Sequence, residues 1–455
     1  MDGLAVAAEG VRWSHGDLDA RARAWAERLA AHGVAEGDRV AHLSRATPDA
    51  VALTHGIWRL GAVTVPLNTR LTASELAPQL EALQPRLTLV DPAFEDRRFL
   101  EGERPRARAP APTDTAAILF TSGTTGRPKA AALSHANLAA AAAASARNVG
   151  GAPGDRWLLC LPLFHVGGLT MLHRCSAYGA ALIVHERFDA AAASRALDEE
   201  GVTHASLVAT TLRRLLDARA GRRLPPSVRA ILIGGGPVPA PLLEQARALG
   251  APVLQTYGLT ESCAQVTTER PGEADGLTAG PPLPGLRVRI VGEQGEDLPP
   301  GAVGEIEVSG PTVFQGYVDD ESETHQVLWK GWLRTRDLGS LDARGRLAVA
   351  ARRSDLIISG GENVYPAEVE AVLLGAPGVV EAAVVGRPDP EWGQVPVAAV
   401  VPGPGFSPEA AERHCRAHLA GYKVPRRFVP VRQLPRNAGG KVDRPTLIAL
   451  LASGG

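Results

Sequence analysis

The sequence has little of several features, and each scarcity excludes a class of protein. No apolar run reaches the 18 or so residues of a membrane-spanning helix, and no charged segment with a long apolar stretch opens the chain. We therefore expect a cytoplasmic protein without membrane insertion. The formal net charge of −1 shows no excess of either sign, which argues against nucleic-acid binding by bulk electrostatics. The cysteines are few and follow no metal-binding spacing, so we expect reduced thiols in the core: Cys160, Cys175, Cys263 and Cys415.

Lysine is the rarest of the charged residues, with four copies among 48 lysines and arginines. This preference for arginine over lysine replaces lysine by arginine wherever either residue would serve. The two differ where a compact ammonium must approach a charge closely, so the remaining lysines are candidates for such positions. They are Lys129, Lys330, Lys423 and Lys441.

What is present indicates a globular α/β protein of more than one domain. Apolar residues make up 45% of the 455 residues and charged residues 21%, which is ordinary for a globular chain longer than one core supports. Short apolar segments alternate with helical patterns, and this alternation predicts βαβ units and a mainly parallel sheet. The predicted elements are a helix from a Ser14/Asp17 capping box to Gly33, a strand Asp38–Leu43, a helix from Thr47-Pro48 to Leu60, strands Ala62–Pro66 and Leu87–Val90, and between these two strands a helix Ser74–Leu83.

The most informative stretch is Thr121–Lys129, Thr-Ser-Gly-Thr-Thr-Gly-Arg-Pro-Lys. Four hydroxyls, two glycines and two cations within nine residues suit a polyanion, because glycine lets backbone N–H groups approach phosphate oxygens and the cations add charge. The apolar run before it and the alanine-rich pattern after Asn137 predict a loop between a strand and a helix. A solvated Ser/Thr/Gly loop is the alternative interpretation.

Three further turns follow predicted strands, where α/β sheets bind ligands. Gly234-Gly235-Gly236 ends the strand that begins at Ala230, and glycines there permit close ligand approach. His165 lies beside Gly167 and Gly168 in Phe-His-Val-Gly-Gly, which predicts a turn facing a cavity, although a lone histidine is more often structural. The third is Tyr257-Gly258-Leu259-Thr260-Glu261, in which the tyrosine could stack on a base, the threonine could bind phosphate and the glutamate could hold Mg²⁺.

Together these motifs resemble the adenylate-forming superfamily of acyl-CoA ligases, adenylation domains and luciferases, and the resemblance spans nearly the whole chain. It implies an α/β fold: a large N-terminal domain (residues 1–353) with parallel-sheet αβαβα layers and a β-rich subdomain, and a small mobile α+β C-terminal domain (354–455). It implies ATP, Mg²⁺ and coenzyme A as ligands. The implied nucleotide- and coenzyme-binding residues are Thr121, Ser122, Gly123, Thr124, Thr125, Gly126, Lys129, Gly234, Gly235, Gly236, Tyr257, Gly258, Asp337, Arg352, Gly360 and Gly361.

The resemblance also implies catalytic and hinge residues. Lys441, in Asn437-Ala438-Gly439-Gly440-Lys441, matches the catalytic-lysine loop, with Asn437 where many members have Thr. Thr260 and Lys441 would bind the α-phosphate and the carboxylate, Glu261 would hold Mg²⁺, and His165 would line the carboxylate site. Ser354 and Asp355 match the hinge. Two residues depart from the pattern: Arg336 and Ala351 stand where glycine is usual.

The implied reaction has two halves. A carboxylate attacks the α-phosphate of ATP, pyrophosphate leaves, the small domain rotates, and coenzyme A thiol then displaces AMP. Within the superfamily, Thr260–Gln265 and Ser354–Glu370 resemble the 2-succinylbenzoate–CoA ligases of menaquinone synthesis. Such a substrate keeps a second carboxylate that needs a buried donor or cation. The unassigned polar candidates are His165, His173, Arg174, Ser262 and Thr278.

Two alternatives stay open at this stage: a fatty-acyl or aryl-CoA ligase with another substrate, and a non-catalytic nucleotide-binding homologue. A monomer and a homodimer are equally compatible with the sequence.

Overall fold

The computed structural model describes residues 3–94, 101–103, 114–121, 129–236, 238–352, 355, 357–359, 362–389, 392–419, 421–437 and 440–453. The chain divides into two compact units. The first comprises residues 1–235, 244–288 and 307–334, and the second comprises 236–243, 289–306 and 335–455. The boundary predicted between residues 353 and 354 falls within the second unit and stays a prediction. In the part of the chain that the structure describes, no helix is long and apolar enough to cross a membrane.

The helices and strands are as follows. The strands are β1 (Leu4–Ala8), β2 (Val11–Ser14), β3 (Arg39–Leu43), β4 (Val63–Pro66), β5 (Leu87–Val90), β6 (Gly102–Glu103), β7 (Thr115–Thr121), β8 (Lys129–Ser134), β9 (Arg156–Leu159), β10 (Ala181–Val184), β11 (His204–Leu207), β12 (Ala230–Ile233), β13 (Val253–Tyr257), β14 (Thr267–Thr268), β15 (Arg287–Val291), β16 (Gly304–Ser309), β17 (Gly316–Tyr317), β18 (Leu328–Trp329), β19 (Trp332–Leu341), β20 (Leu347–Arg352), β21 (Ile357–Ser359), β22 (Glu362–Val364), β23 (Val379–Asp389), β24 (Gly393–Pro402) and β25 (Arg427–Pro430). The helices are α1 (His15–Ala31), α2 (Pro48–Arg59), α3 (Ala73–Leu83), α4 (His135–Val149), α5 (Val166–Tyr178), α6 (Ala190–Glu199), α7 (Ala209–Arg219), α8 (Ala240–Ala248), α9 (Glu321–Val327), α10 (Pro366–Leu374), α11 (Pro408–His418) and α12 (Arg444–Ser453).

The first unit contains two mainly parallel sheets, as the alternating pattern predicts. One has the order β14-β13-β12-β11-β9-β10-β1-β2 and the other β17-β8-β7-β4-β3-β5-β6. The central pairs are parallel in both, and the antiparallel pairs lie toward the ends of each strand order. Strands β4, β10 and β12 are buried along their whole length, as expected of parallel strands covered on both faces.

Helix α2 packs between the two sheets of this unit. Val51 joins the core beneath the eight-stranded sheet, and Ile57 joins the core that includes Val40 of β3. Helix α1 lies so close that a Cβ atom on Gly56 would be 2.6 Å from Trp25 Cβ. The predicted helix starts are confirmed: Ser14 and Asp17 form a capping box, and Thr47 caps α2 before Pro48.

One local prediction is wrong. The phosphate loop does not connect a strand to a helix, because β8 follows it and α4 begins only at His135. The segment Ala130-Ala131-Ala132-Leu133 favours helix by intrinsic propensity. Its antiparallel pairing with β7 and with β17 makes it a strand, so long-range hydrogen bonds override the local preference.

The second unit contains the predicted α+β domain. Its sheet has the order β22-β21-β24-β23, with β25 on β24. Neighbouring residues of β23 serve opposite faces: Val384 packs with α10 and α11, and Val385 packs with α12. A further sheet has the order β15-β16-β19-β18, with β20 on β19. Within three of its strands the chain passes from one unit to the other, after Val288 in β15, after Ile306 in β16 and after Arg334 in β19.

Candidate active site

Strands β7 and β8 hold the two ends of the predicted phosphate loop. Thr121, the last residue of β7, pairs directly with Lys129, the first residue of β8. Paired residues on adjacent strands lie about 5 Å apart, so both ends of the loop are fixed at one place in the sheet. The loop residues Ser122, Gly123, Thr124, Thr125 and Gly126 lie outside the described residues.

A continuous set of contacts joins Lys129 to Glu261. Lys129 Nζ lies 2.5 Å from Glu323 Oε1, and only 10% and 12% of these side chains are exposed. The same ammonium lies 5.4 Å from the centroid of the Tyr317 ring, and the Tyr317 hydroxyl donates to Glu261 Oε1 at 2.8 Å. The structure thus brings the end of the predicted phosphate loop and the predicted magnesium ligand close together, and their roles stay predictions.

Sequence reasoning missed the two residues that connect this site, Tyr317 and Glu323. Tyr317 lies on β17, which pairs with β8 at Ala131 across about 190 positions of sequence. Neither residue belongs to a motif that indicates phosphate or magnesium chemistry, so only the pairing of distant strands reveals them.

The turn after β13 presents Glu261. A Cβ atom on Gly258 would lie 1.4 Å from the Ala264 carbonyl oxygen, so this turn requires glycine. Thr260–Ser262 form a 3-10 helix, and Ser262 Oγ accepts the Leu259 N–H at 3.0 Å. The Glu261 carbonyl in turn accepts the Phe314 N–H at 2.8 Å. The backbone of Glu261 is therefore held from two directions.

This donor set fits Mg²⁺ brought by a nucleotide. Magnesium dehydrates reluctantly and is usually bound by one or two carboxylates together with substrate phosphate oxygens. Glu261 supplies one carboxylate, whose Oε1 is oriented by Tyr317, beside a strand that leads out of the predicted phosphate loop. The bound ion would neutralise developing phosphate charge.

The Gly234-Gly235-Gly236 turn follows β12 as predicted, but its glycines have a packing reason of their own. A Cβ atom on Gly234 would lie 3.0 Å from Thr256 Cγ2 on the neighbouring strand β13. Gly235 has φ +80°, a conformation that other residues rarely adopt. Gly236 is assigned to the second unit. A role of these glycines in nucleotide binding stays a prediction.

His165 is the N-cap residue of α5 rather than part of a free turn. Its backbone is extended, with φ −100°, and its ring lies 4.5 Å from that of Phe164. Gly168 belongs to the first turn of α5, where a Cβ atom would come within 2.2 Å of the Pro162 carbonyl oxygen. Close packing of the helix start therefore explains this glycine, and the proximity of His165 to a substrate carboxylate stays a prediction.

The same helix carries an unusual buried cation, Arg174, which is 4% exposed. Its Nη2 donates to Gln265 Oε1 at 2.9 Å, and Gln265 Nε2 donates to Thr268 Oγ1 at 3.1 Å. The guanidinium carbon lies 4.8 Å from the centroid of the buried Trp157 ring. Among the described residues, no carboxylate lies within ion-pair distance of Arg174, and its Nε has no hydrogen-bond partner.

A buried guanidinium without a counterion is costly, because arginine stays protonated in proteins. Burial lowers the pKa of Arg174 from its ordinary value, which reflects this desolvation cost. From the sequence, Arg174 was only one of five polar candidates for contact with the second carboxylate. Its lack of a carboxylate partner among the described residues is a property of the tertiary structure, which its position in the sequence does not reveal.

The cysteines are confirmed as buried free thiols. Burial raises the pKa of the Cys160 and Cys263 thiols to about 12. Both are therefore protonated at neutral pH, and neither has the character of a thiolate nucleophile.

In the second unit, β19 and β20 bring Asp337 and Arg352 together as direct cross-strand partners. Asp337 is buried, and its N–H donates to Thr335 Oγ1 at 3.1 Å. The preceding residue, Arg336, has φ +61°, and its N–H donates to Glu305 Oε1 at 3.1 Å. Arginine therefore adopts here the left-handed conformation for which glycine is favoured. The ribose contact of Asp337 and the nucleotide contact of Arg352 stay predictions.

Two hydrogen bonds join Asn437 and Lys441, the ends of the predicted lysine loop of the second unit, which is called the lysine turn below. The Asn437 N–H donates to the Lys441 carbonyl at 2.8 Å, and Asn437 Oδ1 accepts the Lys441 N–H at 3.1 Å. Asparagine thus fits the position where Thr is usual. Asp355, a predicted hinge residue, is ion-paired with Arg444 at 3.0 Å. Ser354, Gly360 and Gly361 lie outside the described residues.

Comparison with known proteins shows the family of the chain. Residues 1–318 match the family model described as AMP-binding enzyme, and residues 368–441 match its C-terminal domain. A 2-succinylbenzoate–CoA ligase of Bacillus licheniformis is 42% identical over 442 residues, which cover 93% of this chain and 92% of the relative.

Two solved structures of the o-succinylbenzoate CoA synthetase of Bacillus subtilis are similar throughout. The complex with the acyl-adenylate intermediate has a TM-score of 0.90 and 40% identity, covering 98% of this chain and 95% of that one. The complex with ATP and magnesium ion has a TM-score of 0.91 and 39% identity, covering 98% and 96%. The predicted fold class and resemblance are thereby confirmed, and the chain belongs to the AMP-binding enzyme family.

Proposed function

We propose that this protein is an AMP-forming 2-succinylbenzoate–CoA ligase, which uses ATP and coenzyme A to convert the succinyl carboxylate into a thioester. The structural observation that carries the choice of substrate is Arg174, a buried cation that lacks a carboxylate partner in the described part of the chain. The substrate has two carboxylates, of which only one reacts. The other stays ionised and needs a positive partner when it is buried.

The position of Arg174 on α5 suits this role. The helix begins directly after His165, the residue expected at the reacting carboxylate, and Arg174 lies eight residues beyond Val166. Eight residues of helix advance about 12 Å, and long helical side chains lean back toward the helix start. The guanidinium is oriented by Gln265 and Trp157. Such a fixed cation can bind a distal carboxylate while the other end of the same molecule reacts.

In the first half-reaction a substrate carboxylate oxygen bonds to the α-phosphorus of ATP, and the bond to the bridging oxygen breaks to release pyrophosphate. Charge on the phosphates requires pre-placed donors and cations. Thr121, Lys129 and the loop between them would bind the outer phosphates, and Thr260 with Lys441 the α-phosphate and carboxylate. Lys129 is held by Glu323 in this structure and would redirect its charge toward bound phosphate.

In the second half-reaction the coenzyme A sulfur bonds to the acyl carbon, AMP leaves with the bonding pair, and the thiol proton is lost. The phosphate and adenine groups of coenzyme A need a cationic and aromatic surface. The second unit has a surface pocket of about 530 Å³ that provides one. It is lined by Arg387, Pro388, Asp389, Trp392, Val395, Val397, Arg426 and Arg427.

The test of substrate choice compares 2-succinylbenzoate with 4-oxo-4-phenylbutanoate, the same acid without the ring carboxylate. We expect the wild type to prefer the former by 10²-fold or more in kcat/KM, since a buried charge pair discriminates strongly. Arg174→Gln should lose most of this preference, while activity on the shorter acid reports that the variant is folded. The rate of AMP release in the presence of coenzyme A measures the activity on each of the two acids.

The alternatives predict other results. If octanoate or benzoate gives a higher kcat/KM than 2-succinylbenzoate, the substrate assignment fails and the general acyl-CoA ligase function survives. If no carboxylic acid supports isotope exchange between pyrophosphate and ATP, the chain is a non-catalytic nucleotide-binding homologue.

A further inference from the structure

Arg444 connects the hinge residue to the body of the second unit. Its Nε lies 3.0 Å from Asp355 Oδ2, and its Nη2 lies 2.9 Å from Glu370 Oε1. Its Nη1 donates to the Val384 carbonyl at 2.5 Å. The three partners belong to the hinge segment, helix α10 and strand β23. One guanidinium therefore ties the hinge carboxylate to two elements of the small domain.

These ion pairs are partly shielded from solvent, so they contribute to stability. The side chains of Arg444, Asp355 and Glu370 are 21%, 26% and 13% exposed. Glu370 Oε1 also accepts the Val384 N–H at 2.8 Å, so it is itself fixed to β23. A guanidinium that donates several hydrogen bonds at once from its rigid plane fixes the positions of its partners more closely than a surface ion pair does.

The same arginine begins helix α12 three residues after Lys441. The lysine turn has a second anchor on its other side, where Arg436 Nη1 donates to the Gly440 carbonyl at 3.0 Å and Arg436 Nη2 contacts Glu381 Oε2 at 2.7 Å. Arg436 and Arg444 therefore both hold the lysine turn to the sheet through a glutamate. Of these two arginines, Arg444 contacts the carboxylate of Asp355, and the ion pair of Arg436 is with Glu381.

We propose that Arg444 is a positioning residue that couples the hinge to the catalytic-lysine loop, an inference that rests on the proposed two-step function. Because the Asp355 carboxylate is bonded to the small domain, Asp355 moves with that domain and the pivot of the rotation lies before it. The Lys441 loop and the hinge carboxylate then change position together. The ion pair makes each of the two reacting arrangements better defined than a free hinge would allow.

The experiment measures the two half-reactions separately in the full-length protein, as pyrophosphate–ATP exchange and as thioester formation from supplied acyl adenylate. Arg436→Gln is the matched control, since it removes the same type of anchor from the same turn without touching the hinge. We expect Arg436→Gln to slow only the exchange reaction. Arg444→Gln should slow both, with thioester formation falling about tenfold, the effect of one lost charge-assisted hydrogen bond.

Asp355→Asn tests the hinge side of the contact and leaves the lysine turn intact. It should slow thioester formation about as much as Arg444→Gln, and the double variant should be no slower than either single variant, since both remove one coupling. Arg444→Lys, which keeps the charge but cannot span three acceptors, should recover part of the rate. Thermal unfolding of each variant identifies loss of folding.

The proposal is overturned if Arg444→Gln behaves like Arg436→Gln, or if the effects of Asp355→Asn and Arg444→Gln multiply. Failure of the proposed function is distinct, since the wild type would then show neither half-reaction with any carboxylic acid. Normal wild-type half-reactions with unaltered thioester formation in both Asp355→Asn and Arg444→Gln would refute the coupling alone.

Discussion

The backbone angle φ of Arg336 predicts which of two substitutions at this position, glycine or alanine, gives the more stable protein. At φ +61° an L-residue pays roughly 1–2 kcal/mol relative to its ordinary conformations. Glycine removes this strain but loses about 0.5–1 kcal/mol of chain entropy on folding. The Arg336→Gly variant should therefore be more stable than Arg336→Ala, which keeps the Cβ atom, by about 0.5–1 kcal/mol. The hydrogen bond from the residue 336 N–H to Glu305 is a backbone contact and survives in both variants.

Arg334 is the matched control position on the same strand, two residues earlier and outside the set of positive-φ residues. There the order should reverse, with Arg334→Gly less stable than Arg334→Ala by about 0.5–1 kcal/mol. Hydrogen exchange of the β19–β20 amides measures the local free energy of opening in all four variants. If glycine is the weaker residue at both positions, the strain argument is wrong.

The same pair of variants tests the nucleotide site. We expect the KM for ATP to be unchanged in Arg336→Gly, because Asp337 rather than its neighbour is the predicted ribose ligand. A large increase would identify the Arg336 side chain as a nucleotide ligand.

Three further results are expected. Lys441→Ala should lower adenylate formation by about 10²–10³ and spare thioester formation from supplied adenylate, and equal losses in both would contradict the two-step scheme. Tyr317→Phe removes the hydrogen bond to Glu261 and should raise the Mg²⁺ concentration needed for half-maximal exchange, whereas an unchanged Mg²⁺ titration would remove Tyr317 from the site. Burial lowers the pKa of His42 from 6.5 to about 4, and both ring nitrogens are bonded to hydroxyls, of Ser44 and Thr64. The unfolded state therefore binds a proton first as the pH falls, so the stability that His42 contributes is full well above pH 6.5 and declines toward pH 4, by about 2 kcal/mol at pH 5. Urea unfolding midpoints that stay constant between pH 6.5 and 5 would disagree.

The sequence alone determined much of the local structure, because those signals act over a few residues. The Ser14/Asp17 box and Thr47-Pro48 mark helix starts through side-chain hydrogen bonds to neighbouring N–H groups. Strand β5 has the predicted bounds, since its apolar pattern ends sharply there. The motifs also named Lys129 and Glu261 as separate candidates, which the structure places near one another through Tyr317.

Only the tertiary structure decided the remaining features, because they depend on contacts between distant segments. Pairing with β7 and β17 turned the helix-favouring Ala130–Leu133 into a strand. The same pairing brought Tyr317 and Glu323 to Lys129, although neither carries a recognisable motif. The proposed role of Arg174 rests on its burial without a carboxylate partner among the described residues, a property of its surroundings in three dimensions. A residue's type and spacing encode its chemistry, but which charges it meets is set only when the chain has folded.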